Sequence, residues 1–176
     1  GYFDDWWAHQ KRLWQARNER PLQEPMVLAI RHLLSMAYGP LSTEDIQNLL
    51  PETMSADSAF IQEAAIPYLG RFVIGDGRKQ GFVFSHPKLA DYFRSRLTER
   101  DKTMWQGRFL VWGKRTLADL KTGRANPANV PHYLMQYYGR HLEDTDADIE
   151  NFLELVTWEW MQVWHKKTGT YAGFLQ

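Results

Sequence analysis

The sequence predicts a mainly α-helical protein interrupted by one β-hairpin, on three observations. Apolar residues recur at helical spacing over most of the 176 residues. The period turns strand-like only around residues 71–84, flanking a loop rich in turn formers. From residue 100 onward only helical patterns appear.

Each element follows from local chemistry. Residues 2–17 read as a helix carrying Phe3, Trp6, Trp7 and Trp14, and Arg20-Pro21-Leu22-Gln23-Glu24-Pro25 reads as a connector broken by two prolines. Met26, Val27, Ile30, Leu33, Leu34 and Ala37 form one face of a second helix, ended by Gly39-Pro40. Ser42 stands three residues before Asp45, the spacing of a capping box, and Ile46, Leu49 and Leu50 follow before Pro51 stops the helix. A further helix is expected from about Asp57 through Leu69, with Pro67 kinking or ending it. Arg71-Phe72-Val73-Ile74 and Phe82-Val83-Phe84 then pair across Gly75–Gly81 as a hairpin. Pro87 suits the first position of a helix capped by Ser85 or His86, with Leu89, Tyr92, Phe93 and Leu97 on its buried face.

Three short helices, a hairpin and another helix make a winged-helix arrangement. The division expected is therefore a linker helix and connector over 1–25, a winged-helix domain over 26–99 and an all-helical, bundle-like domain over 100–176. The last contains helices over about 103–121, from Pro131 through Leu142, over about 147–157 with Ile149, Phe152, Leu153 and Val156, and over about 158–167, ended by Gly169.

Composition narrows the function. With 21 basic and 21 acidic residues the net charge is zero, which argues against strong non-specific nucleic-acid binding. Zero Cys excludes a disulfide scaffold, a thiolate zinc site and a Cys nucleophile. No apolar run approaches ~20 residues, and no basic segment followed by an apolar one opens the chain, so a cytoplasmic protein without membrane contact is expected. Eight Trp, eight Tyr and nine Phe point either to a ring-rich helical core or to rings that face a neighbouring domain.

Motifs for chemistry are sparse. Neither GxxxxGK[ST] nor GxGxxG occurs, and Gly75, Gly77 and Gly81 belong to the hairpin loop. There is no HExxH. Asp144-Thr145-Asp146-Ala147-Asp148 imitates the start of a calcium loop, but Ile149 replaces the required Gly and Leu155 the required Glu. Acids at a helix start explain that run more simply. No GxSxG occurs, so no catalytic residue and no metal ligand is assigned, and the chain is expected not to be an enzyme. A DNA-reading helix needs cations and polar tips, yet residues 56–70 contain none of Lys or Arg, and 26–99 carry seven basic against eight acidic residues. Residues 100–124 hold seven basic against two acidic, whereas 140–160 hold one against seven. Either two helices face one another with complementary surfaces, or one of them docks another domain or subunit.

Trp6-Trp7-Ala8-His9-Gln10-Lys11-Arg12-Leu13-Trp14 with Pro21-Leu22-Gln23-Glu24-Pro25 resembles the segment after the ATPase core in bacterial STAND proteins, signal-transduction ATPases related to the NACHT and NB-ARC families. Gly81-Phe82-Val83-Phe84-Ser85-His86-Pro87-Lys88-Leu89-Ala90-Asp91-Tyr92-Phe93 resembles their winged-helix signature, and Tyr133–Leu142 and Trp158-Glu159-Trp160-Met161 resemble the helical region that follows. The resemblance implies a regulatory module that packs on the nucleotide-binding domain as a conformational switch. It implies that His86 reaches the β-phosphate of ADP in the resting state. The simpler role for His86 is to cap its helix or fill a core gap. Without Walker motifs the chain alone has no cofactor; ADP and ATP belong to the full-length protein. The implied partners are the ATPase core of the same polypeptide and other subunits, with no nucleic acid. The alternative is a winged-helix DNA-binding transcription regulator.

Overall fold

α2 (Glu24–Met36) is the helix on which the first half is assembled. Seven of its apolar side chains, among them Val27, Ile30 and Leu33, are buried, because neighbours cover nearly its whole circumference. In the computed structural model, which describes residues 1–16, 24–54, 56–145 and 147–175, α2 packs against α3 (Thr43–Leu49), a 3₁₀ segment Ile66–Phe72, α4 (Pro87–Arg94) and α5 (Glu99–Lys121). α1 (Tyr2–Ala16) lies beside this group, with Trp7 buried and Trp6 set edge-on to Phe72 at 5.3 Å. The expected connector falls outside the described residues through Gln23, as do the side chains of Phe3 and Trp14; Glu24 and Pro25 already belong to the first turn of α2.

Local signals set the helix ends. Ser42 and Asp45 form the full capping box: Asp45 N–H donates to Ser42 Oγ (3.0 Å) and Ser42 N–H to Asp45 Oδ2 (2.8 Å). Between residues 57 and 72 the chain is not the regular α-helix that the apolar spacing suggests. It runs as a π-helical turn, Phe60–Ala65, and then tightens to 3₁₀ over Ile66–Phe72. Pro67 has no N–H to continue the ladder, so the winding changes where it enters. Gly70, at φ 51° and ψ −136°, turns the chain out of the helix in a conformation that side-chain-bearing residues avoid. The hairpin is correspondingly shorter than expected, β1 (Val73–Ile74) against β2 (Val83–Phe84), antiparallel with Val73 opposite Phe84. Arg71 and Phe72 remain in the 3₁₀ segment. Leu41, between α2 and α3, adds a third rung through two backbone hydrogen bonds with Phe82. Of the face expected on α4, Phe93 is buried, while Leu89, Tyr92 and Leu97 are half-buried.

α5 joins the two halves. Its 23 residues span about 35 Å. They contact α2 and α3 on one side, α6 (His132–Glu143) and α8 (Trp158–Thr168) on the other. Trp105, Phe109 and Trp112 line this shared core. At its centre lies His141 of α6, fully buried and stacked on Phe109 with ring centroids 4.2 Å apart. Tyr133 Oη accepts from Tyr38 N–H at 3.1 Å and sits 2.7 Å from His141 Nε2. The arrangement assigns the Tyr133 proton to that hydrogen bond and the imidazole proton to Nδ1. Burial pushes the His141 pKa down to about 3, and that of His32, which accepts from Arg31, to about 4. Tyr38 donates its phenol proton to Asp144, and burial with that bond pushes its pKa up to about 12.

One helix of the C-terminal part is shorter than expected. α7 is only Ile149–Leu153 rather than about 147–157, and its Ile149 and Leu153, with Val156 beyond it, are exposed. α7 makes its main contacts with α6. Among the described residues one ion pair joins the basic stretch 100–124 to the acidic stretch 140–160, Lys121 to Glu154 at 3.9 Å. α8 ends as expected, at Gly169 with φ 73°. Among the described residues, no helix is long and apolar enough to cross a membrane.

Two glycines of α5 give opposite expectations. At Gly113, buried, an added Cβ would collide with the Tyr138 ring of α6; at Gly107 it would meet nothing within 4 Å. Gly113→Ala is expected to lose ~1–3 kcal/mol in urea denaturation, and Gly107→Ala to gain ~0.5–1 kcal/mol. A stabilising Gly113→Ala would contradict the α5–α6 packing described.

The buried histidines set an acid limit. Their folded pKa values lie below the unfolded value near 6.5, so between about pH 6.5 and 3 the unfolded chain binds more protons. Their contribution is whole above about pH 6.5 and is lost as the pH falls toward 3–4. Asp45, whose carboxyl burial raises, works in the opposite direction at the acid end. The melting temperature is expected to drop steeply between pH 6.5 and 4, and less steeply in His141→Gln, whose side-chain carbonyl can still accept from Tyr133. Equal slopes would remove His141 from the account.

Candidate functional site

His86 occupies the turn where β2 hands the chain to α4. Ser85 N–H donates to Phe72 O (2.9 Å), which holds the turn against the 3₁₀ segment. His86 is extended, at φ −142° and ψ 133°, as a residue preceding proline must be, and Pro87 opens the helix. The imidazole is the N-cap: Nδ1 accepts from Lys88 N–H at 3.2 Å. That bond fixes the tautomer of the neutral ring, because a nitrogen that accepts cannot also carry the proton. Nε2 is then the donor. His86 is exposed, so it fills no core gap, and capping leaves its second nitrogen with hydrogen-bonding capacity.

The ring lines a shallow groove of about 390 Å³ shared with Arg71, Phe72, Ser85, Lys88, Leu89 and Tyr92. Two basic side chains, Arg71 and Lys88, flank an apolar floor. The Arg71 guanidinium lies over the rings of Tyr2 (5.0 Å) and Phe72 (5.8 Å), contacts that orient it at about 0.5–1 kcal/mol each when exposed. Asp4, bonded to the Tyr92 that lines this edge, is already engaged: it accepts from Tyr92 Oη (2.8 Å) and pairs with Arg96 (2.8 Å). The Tyr92 bond is the largest cause holding its carboxyl below the usual range. The groove thus presents donors and positive charge at a helix N-terminus, chemistry that suits a phosphate or other anion. It is open on one side. In water such contacts are weak, and they strengthen only when a second surface excludes solvent.

The sequence singled out His86 alone. Arg71 and Lys88 were missed: Arg71 reads as the first residue of a strand, and its approach to His86 depends on the 3₁₀ turn. Lys88, two residues after His86 on the first turn of α4, was the one legible signal. The wing cations are elsewhere. Asp76 Oδ1 accepts three backbone N–H groups, of Arg78, Lys79 and Gln80, which hold its carboxyl below the usual range, Gln80 contributing most. Gly77 O accepts from both the N–H and the hydroxyl of Thr43. So tethered, the loop places Arg78 and Lys79 along a cleft of about 470 Å³ with Glu44, Asp45, His132 and Lys167. Among the described residues no three His, Asp or Glu side chains gather as a metal ion would require. Comparison of the chain with protein-family models, curated proteins and solved structures finds no match.

An anion groove of this kind is read by titrating the chain with inorganic pyrophosphate at low salt while following the His86 imidazole by NMR. A shift with roughly millimolar affinity is expected, abolished by Arg71→Ala with Lys88→Ala and by ~0.5 M salt. An unmoved His86 resonance at saturating pyrophosphate would rule the groove out.

Proposed function

We propose that the chain is the winged-helix and helical regulatory module of a STAND-type NTPase. It packs on the nucleotide-binding domain and helps to hold ADP in the resting state. The observation that carries this reading is the Lys88 N–H bond to His86 Nδ1, which commits Nε2–H to donation in a groove already flanked by Arg71 and Lys88. A groove open on one side suits a phosphate that arrives on a second protein surface.

The winged-helix reading is supported by the order α2, α3, helical segment, hairpin and α4, and by the third rung at Leu41. The outward face of the hairpin carries the cross-strand pair Ile74 and Val83, both exposed. That is a protein-facing surface rather than a polynucleotide-facing one. Arg78 and Lys79 line a cleft with carboxylates, which takes further support from a DNA-binding reading. The chain would act by differential contact. Its groove meets ADP phosphate in the closed state and loses it in the open one, and that difference sets the population of each. Hydrolysis belongs to the ATPase core, and cytoplasmic signalling is the setting this role implies.

The test is ADP retention by the ATPase that carries this module. A hydrogen bond to a charged group contributes about 1.5–3 kcal/mol, so His86→Ala is expected to release ADP roughly 10- to 150-fold faster and to raise basal activity. Unchanged ADP occupancy in the purified variant would sink the proposal.

A further inference from the structure

Two exposed surfaces outside the groove have no partner among the described residues and complement each other. The first is a stripe along α5. Arg100, Met104, Gly107, Val111, Lys114 and Ala118 recur at spacings of three and four and so share one helix face. Val111 is 63% exposed and Met104 49%. Arg100 and Lys114 form no ion pair among the described residues, and Gly107 has open space where a Cβ would stand. The second is the ridge from α7 into α8. Ile149 is 71% exposed, Leu153 59%, Val156 68% and Trp158 63%. Asp148, Glu150 and Glu159 accompany them, with no ion pair among the described residues. Four large exposed apolar side chains within ten residues exceed the scattered exposure expected of an ordinary surface.

Apolar-and-cationic meets apolar-and-anionic. The two surfaces do not cover each other inside one chain, because the apolar side chains of both remain exposed there. The equal totals of 21 basic and 21 acidic residues leave no net repulsion between copies. We propose that a second copy of this chain is the occupant: the α5 stripe of one copy docks on the α7–α8 ridge of the next. The contact joins unlike surfaces, so it is head-to-tail. It extends into a ring or a filament rather than closing as a symmetric pair. Gly107 lets the partner's ridge approach the α5 backbone, and the charges set register and speed of encounter. This inference goes beyond the nucleotide reading and stands apart from it.

Sedimentation velocity tests it. The wild-type chain is expected to associate with rising concentration at low salt and to dissociate at ~1 M salt, where the screening length falls to about 3 Å. Val111→Asp on the stripe and Leu153→Asn on the ridge are each expected to weaken self-association at least about tenfold. Mixed in equal amounts, they should form one-to-one dimers and stop, because each variant keeps one intact face. A monomeric wild type at low salt, variants that associate as the wild type does, or a mixture that fails to pair would each overturn the proposal. Circular dichroism confirms folding of each variant. Should either fail to fold, Lys114→Glu and Glu150→Lys test the same faces by charge alone: each is expected to weaken self-association and their mixture to restore it, and a mixture that stays monomeric would overturn the proposal.

Discussion

The burial of α5 on both sides is the constraint on which the rest of the structure depends. A helix that contacts α2 and α3 on one flank and α6 and α8 on the other has little free circumference. What remains exposed includes the stripe from Arg100 to Ala118, with Thr103 and Arg115 beside it. The same burial fixes the centre of the molecule, where Phe109 stacks on His141 and Tyr133 links that ring to the backbone of Tyr38. A polar triad in that position adds direction to a core that apolar contacts alone would leave less specified. Its cost is visible too: His141 Nδ1 and Gln106 Oε1 are buried with no hydrogen-bond partner among the described residues, and a buried polar group left so costs about 1–3 kcal/mol.

The candidate site, in contrast, sits where the packing ends. α4 is covered on the α2 side and open at its N-terminus, so His86, Lys88 and Arg71 are held by a rigid frame while their donors face outward. The frame is built from short-range pieces: the Ser85 N–H bond to Phe72 O, the proline that opens α4, and the ring contacts that steady Arg71. None is strong alone. Together they keep three donors at one edge without help from a ligand, and such preorganisation lowers the entropy lost on binding.

Much of this was legible in the sequence, and the division between legible and hidden is physical. Ser42 with Asp45, Gly39-Pro40 and Gly169 act within one turn of themselves, so their effects appear where the residues stand. Pro67 announced a break, but not that the helix before it would widen to a π turn. Ile149, Phe152, Leu153 and Val156 have helical spacing and predicted a helix over about 147–157. Period reports that a face exists, not what covers it: Phe152 packs against the core, while Ile149, Leu153 and Val156 stay exposed. His86 was visible because a cap is local. Arg71 was not, because its place beside His86 depends on a 3₁₀ turn around Gly70 and on the ring of Tyr2, from a different helix. The charge asymmetry between 100–124 and 140–160 was equally plain, while its meaning depended on whether α5 and α7 meet.

The central claim is that the α4 groove is one wall of a nucleotide-phosphate site whose other wall is an ATPase core. The most direct measurement is the structure of that core with ADP and this module in place. The account predicts His86 Nε2 within hydrogen-bond distance of a β-phosphate oxygen, about 2.7–3.2 Å, with Arg71 and Lys88 at the same interface. An ADP-bound complex in which His86 and both cations face solvent would contradict it.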